Sequence, residues 1–399
     1  MIEAQRTVRD YPFSPPLRLE MDPTYAVLRE EDPISRVRMP YGGEAWLVTR
    51  YDDIKSALVD RRLSRTAAVG RDVPRSRPEP EVPLSMLTAD PPEHTRLRGL
   101  ATQAFNARQI NRLAGDIERI VESLVDDMAA KGAPGDLAAA LAWPMPTQVI
   151  CQMLGVPYED SDDIREWVTT LIGMDSQGEA VIEARTKMWG YFRALVARRE
   201  AEPADDMITR LIAARDDGGK LSEVELIAFS FTMLIAGFET TANAIGNFMF
   251  HLLANRDLWD RLLVEPDVLP DAVEELLRTL PIASTGLFTR IATADFELGG
   301  VTIREGDAVV LQPTSGNRDA AVFDRPDEVD FDRTPNPHIA FGHGIHFCLG
   351  AHLARLELRT VLTVLLRRFP RLRLAVPAEE VPWRKGHLVR GVESLPVQW

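Results

Sequence analysis

Cys348 lies in the run Phe341-Gly-His-Gly-Ile-His-Phe-Cys-Leu-Gly350, where three glycines fall within ten residues. Glycine at that density permits a tight turn and lets the backbone pass close to something flat. The sequence after the cysteine reads as a helix running to about Arg368. A helix start lowers a thiol's pKa and hydrogen-bonds a thiolate. Three chemistries are open for this loop. A thiolate can bind haem iron and push electron density onto it, as O–O cleavage requires. Alternatively, His343, His346, Cys348 and His352 could ligate zinc, although such sites normally pair their ligands at short spacing on two segments. The third reading is a structural cysteine in the core.

Three further constellations could carry chemistry. In Ile235-Ala-Gly-Phe-Glu-Thr-Thr241 an acid and a hydroxyl, Glu239 and Thr240, interrupt an apolar stretch. A buried acid is costly unless it is bonded, and Gly237 costs about 1 kcal/mol against alanine in a helix. The run is either a kink in which threonine side chains bond back to carbonyls or a groove with a proton relay. His94 and Arg98 fall one helical turn apart, and Arg290 follows Pro281 on a strand-like segment; alone, each is a surface charge, and together they could bind carboxylates. Glu275 and Arg278, at i and i+3, form an ion pair that by itself is a solvated helix face.

These residues need elements to position them. Ser222 with Glu225 three residues on is a capping box, and the helix it opens runs to about Ala254, apolar nearly all round at Phe229–Ile235 and therefore buried. Helical periodicity covers His94 to about Arg278, broken at Lys131–Gly135, Gly155–Pro157, Ser176–Gly178, Glu202–Pro203 and Asp216–Gly219. Glu44–Arg50, Ile291–Ile303 and Asp307–Gln312 read as strands, Tyr51–Leu58 as a helix, and Ser64–Pro92 as a long Pro- and Gly-bearing loop. Strands gather at both ends of the chain without βαβ alternation. The fold class is thus mainly α (α+β), as a single domain over residues 1–399.

With 399 residues, 45% of them hydrophobic, the chain can bury a large core and still house a prosthetic group. The net charge of −14 argues against nucleic acid as a partner. Cys151 and Cys348 are the two cysteines, which excludes a disulfide framework and fits a reducing compartment. The N-terminus shows no signal-peptide pattern. Leu226–Leu253 is broken by Glu239, Asn243 and Asn247, so no membrane span of about 20 unbroken apolar residues is expected. Scarce lysine and abundant arginine suit a GC-rich bacterial genome. The expectation is a cytoplasmic protein.

The cysteine loop resembles that of the soluble bacterial cytochromes P-450. The family pattern Phe-Gly-x-Gly-x-His-x-Cys-x-Gly is met by Phe341, Gly342, Gly344, His346, Cys348 and Gly350, and the resemblance continues in order along nearly the whole chain. It implies the P-450 fold, in which haem b lies between a long buried helix and the cysteine-bearing helix. It further implies Cys348 as axial ligand and metal residue, Ala236 and Gly237 beside the haem, and His94, Arg98, Arg290 and His346 on its propionates. Glu239 and Thr240 match the family's acid–threonine pair; Phe238 stands where relatives often carry histidine. Glu275 and Arg278 match a structural motif tied to the segment around Arg333 or His338. The substrate pocket would be lined by Leu84, Met86, Met174, Ile235, Ala236, Ile282, Ala283, Leu287, Leu388 and Val389. The implied function is insertion of one oxygen atom from O2 into an apolar small molecule of secondary metabolism, by hydroxylation or epoxidation. NAD(P)H would supply electrons through ferredoxin reductase and ferredoxin to a monomeric enzyme. Oxidative coupling or peroxide-driven oxidation on the same haem is the alternative, and a haem-sensing or zinc-binding module the reading outside enzymes.

Overall fold

The computed structural model describes residues 7–15, 17–81, 85–105, 107–173, 176–216, 221–283, 285–286 and 288–399. The architecture is mainly helical with small sheets. Two compact units emerge, Met1–Thr95 with Glu274–Cys348, and Arg96–Val273 with Leu349–Trp399.

The first unit is built on a six-stranded sheet in the order Arg9–Asp10, Ile34–Arg38, Glu44–Val48, Ala308–Leu311, Arg290–Ala292, Leu63–Ser64. Glu44–Val48 and Ala308–Leu311 run parallel, with Trp46 opposite Val309, a long-range pairing that no hairpin signal announces. Side chains alternate across a strand. Val309 and Leu311 accordingly join one apolar cluster with Ile34, Val48 and Ile54. Ala308 and Val310 join another with Val37, Leu47 and Tyr25. Both faces are covered, which is why Ala308–Leu311 reads as a continuous apolar run. Arg290 opens a strand in this sheet, so its backbone is fixed by the ladder.

The second unit is helical. Its longest element, Glu223–Ala254, starts at Ser222, whose Oγ accepts from Glu225 N while Glu225 Oε2 accepts from Ser222 N at 2.7 Å. The capping box thus satisfies two of the otherwise open donors, worth about 1 kcal/mol. This helix is long and apolar enough to cross a membrane by composition, yet 61% of its most apolar window is buried within the protein. It packs against Pro144–Leu154, Glu179–Ala201 and Ala351–Arg368. Beside Gly237, the space a side chain would fill is occupied by Ile150, whose Cδ1 would lie 2.8 Å from an added Cβ. Glycine therefore lets Pro144–Leu154 approach closely.

Several boundaries differ from the sequence reading. The helix after the cysteine begins at Ala351, with Leu349 and Gly350 in a turn, so the thiol precedes the first helical residue by three positions. The helical stretch near residue 140 contains a π-helical turn, Ala138–Ala142. The Ser64–Pro92 loop starts on the last residue of the strand Leu63–Ser64 and, among the described residues, holds two 3₁₀ turns, Thr66–Ala68 and Ser85–Leu87.

Candidate active site

Phe341–Cys348 folds as a closed loop. Gly342 and Gly344 take φ of +74° and +71°, the left-handed region that glycine enters without strain. A single 3₁₀ turn spans Gly344–His346, and Cys348 N donates to Phe341 O at 2.8 Å. The Phe341 ring stands 6.4 Å from that of Phe347. Cys348 is exposed, whereas Cys151 is buried, and burial pushes the Cys151 thiol up to about 12. Of the two thiols, Cys348 is the one solvent reaches. An added Cβ at Gly350 would meet nothing within 4 Å.

Polar residues of the same unit gather around His94. The His94 and His346 rings pack edge-on, with centroids 4.4 Å apart. Asp90 arranges this region: its oxygens accept from Ser64 Oγ, Arg65 N and Thr66 N, and its carbonyl accepts from His94 N at 2.9 Å. Arg290 is buried, and Arg65 is half-buried with its Nε sealed from solvent. Burial lowers the Arg65 pKa well below its ordinary value, and the charge of Arg290 adds to the shift. Arg290 is lowered to about 10 by burial, against the opposing pull of Asp90. Arg65 Nε has no hydrogen-bond partner, and its guanidinium lies 4.6 Å from the Phe288 ring centroid. Phe288 is held at φ +58°, a strained backbone for a bulky residue.

Two desolvated cations, one of them with an open N–H at Arg65 Nε, leave room for an anion besides Asp90. The residue set therefore suits a flat cofactor with a soft thiolate ligand and carboxylate edges: the exposed thiol for the metal, imidazoles and guanidiniums for the acids. Among the described residues no group of three or more His, Cys, Asp or Glu side chains is arranged to hold a metal ion, so the four zinc candidates do not form a cage. Arg98 lies half-buried on the helix Glu93–Ala104. Arg65 and Asp90 were not legible as site residues, because neither belongs to a periodic pattern or a motif.

In the second unit, Thr240 is exposed and its Oγ1 donates to Ala236 O at 2.9 Å, while Thr241 Oγ1 donates to Gly237 O at 3.3 Å. Glu239 is buried, and its Oε1 accepts from Arg384 Nη1 at 2.6 Å. The cost of that buried acid, evident from sequence, is thus offset by a cation from a segment 145 residues away. Phe238 is buried with its ring 6.4 Å from Trp143.

Glu275 is fully embedded in the first unit. Arg278 donates to both its oxygens at 2.7 and 2.8 Å, Arg333 Nε at 3.0 Å, Asn336 Nδ2 at 3.1 Å and Asp330 N at 2.9 Å. Arg278 also donates to the carbonyls of Asn317, Pro326 and Glu328. Neighbouring Glu274 takes His338 Nε2 at 3.0 Å. The pair therefore ties its helix to the chain ahead of the cysteine loop.

Of the pocket candidates, Met86 and Val389 are buried, Ile235, Ile282, Ala283 and Leu388 are half-buried, and Ala236 is exposed. Leu84, Met174 and Leu287 lie outside the described residues.

The family model for cytochrome P-450 matches residues 24–382. The chain belongs to the cytochrome P-450 family. This P-450 is 47% identical to nocardicin C N-oxygenase of Nocardia uniformis, over 98% of each chain. It is 44% identical to the mycinamicin IV hydroxylase/epoxidase of Micromonospora griseorubida, again over 98% of each. A solved cytochrome P-450 with biaryl coupling reactivity superimposes with a TM-score of 0.95 at 43% identity, covering 98% of this chain and 100% of that one. This P-450 is accordingly a monooxygenase whose family implies haem, and its fold is the P-450 fold.

Proposed function

We propose that the chain inserts one oxygen atom from O2 into a small to medium apolar secondary metabolite, by hydroxylation or epoxidation. The carrying observation is the exposed Cys348 at the end of a glycine-shaped loop, in a unit that also desolvates Arg290 and Arg65 and leaves Arg65 Nε without a hydrogen-bond partner. In this reading Cys348 ligates haem b, Phe341 shields its sulfur, and His94, Arg98, Arg290 and His346 hold the propionates. When bound, haem supplies the binding and reductive activation of dioxygen. Thr240 orients water through its hydroxyl, and Glu239 carries protons to it. Apolar Met86, Ile235, Ala236, Ile282, Ala283, Leu388 and Val389 exclude water from the substrate; Leu84, Met174 and Leu287, outside the described residues, belong to the same proposal. Relatives that act on nocardicin C and mycinamicin IV support the substrate class. Electrons come from NAD(P)H through ferredoxin reductase and ferredoxin. The enzyme works as a monomer in the cytoplasm, its 399 residues forming one functional domain.

The test is the carbon monoxide difference spectrum of the reduced protein. The parent and Cys151→Ala give the thiolate signature, and Cys348→Ala loses it. A signature that survives Cys348→Ala and disappears in Cys151→Ala overturns the assignment. Oxidative coupling is the second reading, favoured by the superposition on the biaryl-coupling enzyme; a phenolic probe yielding dimers without oxygen incorporation would select it.

A further inference from the structure

The chain segment that supplies the counter-charge of Glu239 is a hairpin. Trp383 and Val392 form an antiparallel bridge, Arg384 N donates to Gly391 O at 3.0 Å, and Glu393 N donates to Pro382 O at 2.9 Å. The hairpin lies on the long helix Glu223–Ala254 at several points. Asn247 Nδ2 donates to Arg390 O at 3.0 Å, and the Phe250 and Trp383 rings meet at 5.0 Å. Gly391 sits so close to Asn243 that an added Cβ would overlap Asn243 Oδ1, and Gly246 makes room for Val392. Asn243 in turn donates to Glu239 O at 2.7 Å. Helix and hairpin are thus locked in one register over the turns that follow the acid.

Arg384 is shared among three groups. Nη1 bonds Glu239 Oε1 at 2.6 Å, Nη2 approaches His387 Nδ1 at 3.2 Å, and the guanidinium lies 4.9 Å from the Trp143 ring centroid. The other carboxylate oxygen, Glu239 Oε2, is buried without a hydrogen-bond partner. A carboxylate has room for several donors. This one is pinned at one oxygen by a charge-assisted bond and left open at the other. Between the two strands of the hairpin are Leu388 and Val389, already candidates for substrate contact, and His387, which is bridged to Gly173.

We propose that Arg384 is a positioning residue for Glu239, and that the hairpin Trp383–Val392 couples the substrate-contacting tip to the orientation of that carboxylate. The proposal rests on the reading of Glu239 as a proton carrier. Arg384 holds the ion pair through Oε1, which points Oε2 in a fixed direction as the oxygen that takes and gives the proton. Movement of the tip is transmitted through Arg384 because the hairpin cannot slide on the helix without displacing Gly391 from Asn243.

The experiment uses the holoenzyme with NADPH and a surrogate ferredoxin–reductase pair, without added substrate, in parent, Arg384→Gln, Arg384→Lys, Glu239→Gln and the Arg384→Gln/Glu239→Gln double variant. The rate of NADPH oxidation falls by about tenfold in Arg384→Gln, short of the roughly hundredfold or more that loss of a proton-transfer group costs, with an enlarged solvent deuterium isotope effect. Arg384→Lys restores most of the rate, and the double variant is no slower than Glu239→Gln. Thermal unfolding of the same set gives a readout independent of turnover: the two substitutions are non-additive in stability, as for directly paired groups. Unchanged rate and isotope effect in Arg384→Gln, with Glu239→Gln slowed, overturn the positioning role and leave the relay standing. An unaltered Glu239→Gln overturns the relay and the Arg384 assignment together.

Discussion

Thr240 bonds back to Ala236 O, so its hydroxyl is already oriented along the helix by a proton donated within its own turn. That bond commits the hydroxyl hydrogen and leaves the oxygen's lone pairs facing outward, where Thr240 is exposed. A water hydrogen-bonded there would be held as a donor toward whatever occupies the site. The kink reading and the relay reading of this run are therefore compatible: one hydrogen bond serves both. Thr240→Ala removes the acceptor at little cost in packing, because the hydroxyl and methyl it deletes belong to an exposed residue. Expected is retention of haem and of the carbon monoxide signature, with the peroxide released per NADPH consumed rising several-fold. Equal peroxide yields in variant and parent would take Thr240 out of proton delivery.

At the scale of elements, sequence reading was strongest where one local pattern decides one element. The capping box at Ser222 located the long helix to within a residue, because Ser222 and Glu225 satisfy backbone donors that only a helix start leaves open. The polarity conflict at Glu239 was also visible, but its resolution was not: Arg384 precedes Lys385 and Gly386 in a segment without periodicity, and its role depends on a fold-back that no local signal encodes. The parallel pairing of Glu44–Val48 with Ala308–Leu311 was hidden for the same reason. A further helix–helix contact carries no local sequence signal. Glu357, on Ala351–Arg368, is fully buried and hydrogen-bonded to Thr241 on the long helix; burial raises its pKa well above the usual carboxylate value, although the Thr241 bond opposes the shift. A raised folded-state pKa means that the native protein holds this proton at pH values where the unfolded chain, with a glutamate pKa near ~4.3, has released it. The folded state then binds more protons, and stability declines as pH rises from the unfolded to the folded pKa. Glu357→Gln keeps the shape and a hydrogen-bonding amide and cannot ionise. Its melting temperature should exceed the parent's at neutral pH, with the difference shrinking toward acidic pH. A variant less stable than the parent at neutral pH and equal to it under acid would reverse the sign and reject a protonated Glu357.

For the whole molecule, the net charge of −14 would repel an acidic ferredoxin, the electron donor proposed above, so docking would need a local exception. Two arginines of the helix that follows the cysteine loop are already engaged: Arg367 and Arg368 pair with Glu122, and Arg368 also with Asp126. They add no net positive field. Arg355 and Arg359 stand one turn apart on the same helix, half-buried. The helix Ala107–Arg112 packs against it and ends in the exposed Arg112; of Arg108 in that helix only the backbone is described. These positions define the candidate patch, and its effect is predicted to fall on association rather than on chemistry. Surface charges act chiefly on encounter rate and are screened within about 8 Å at physiological salt. Reversing Arg108 and Arg112 to Glu should slow the first electron transfer from ferredoxin at low salt, with the difference closing as salt is added. Binding of an azole to the haem pocket, read from the spectral shift, should be unchanged. A reduction rate indifferent to both the reversal and the salt concentration would place ferredoxin on another face, since a patch that steers an acidic partner must respond to both.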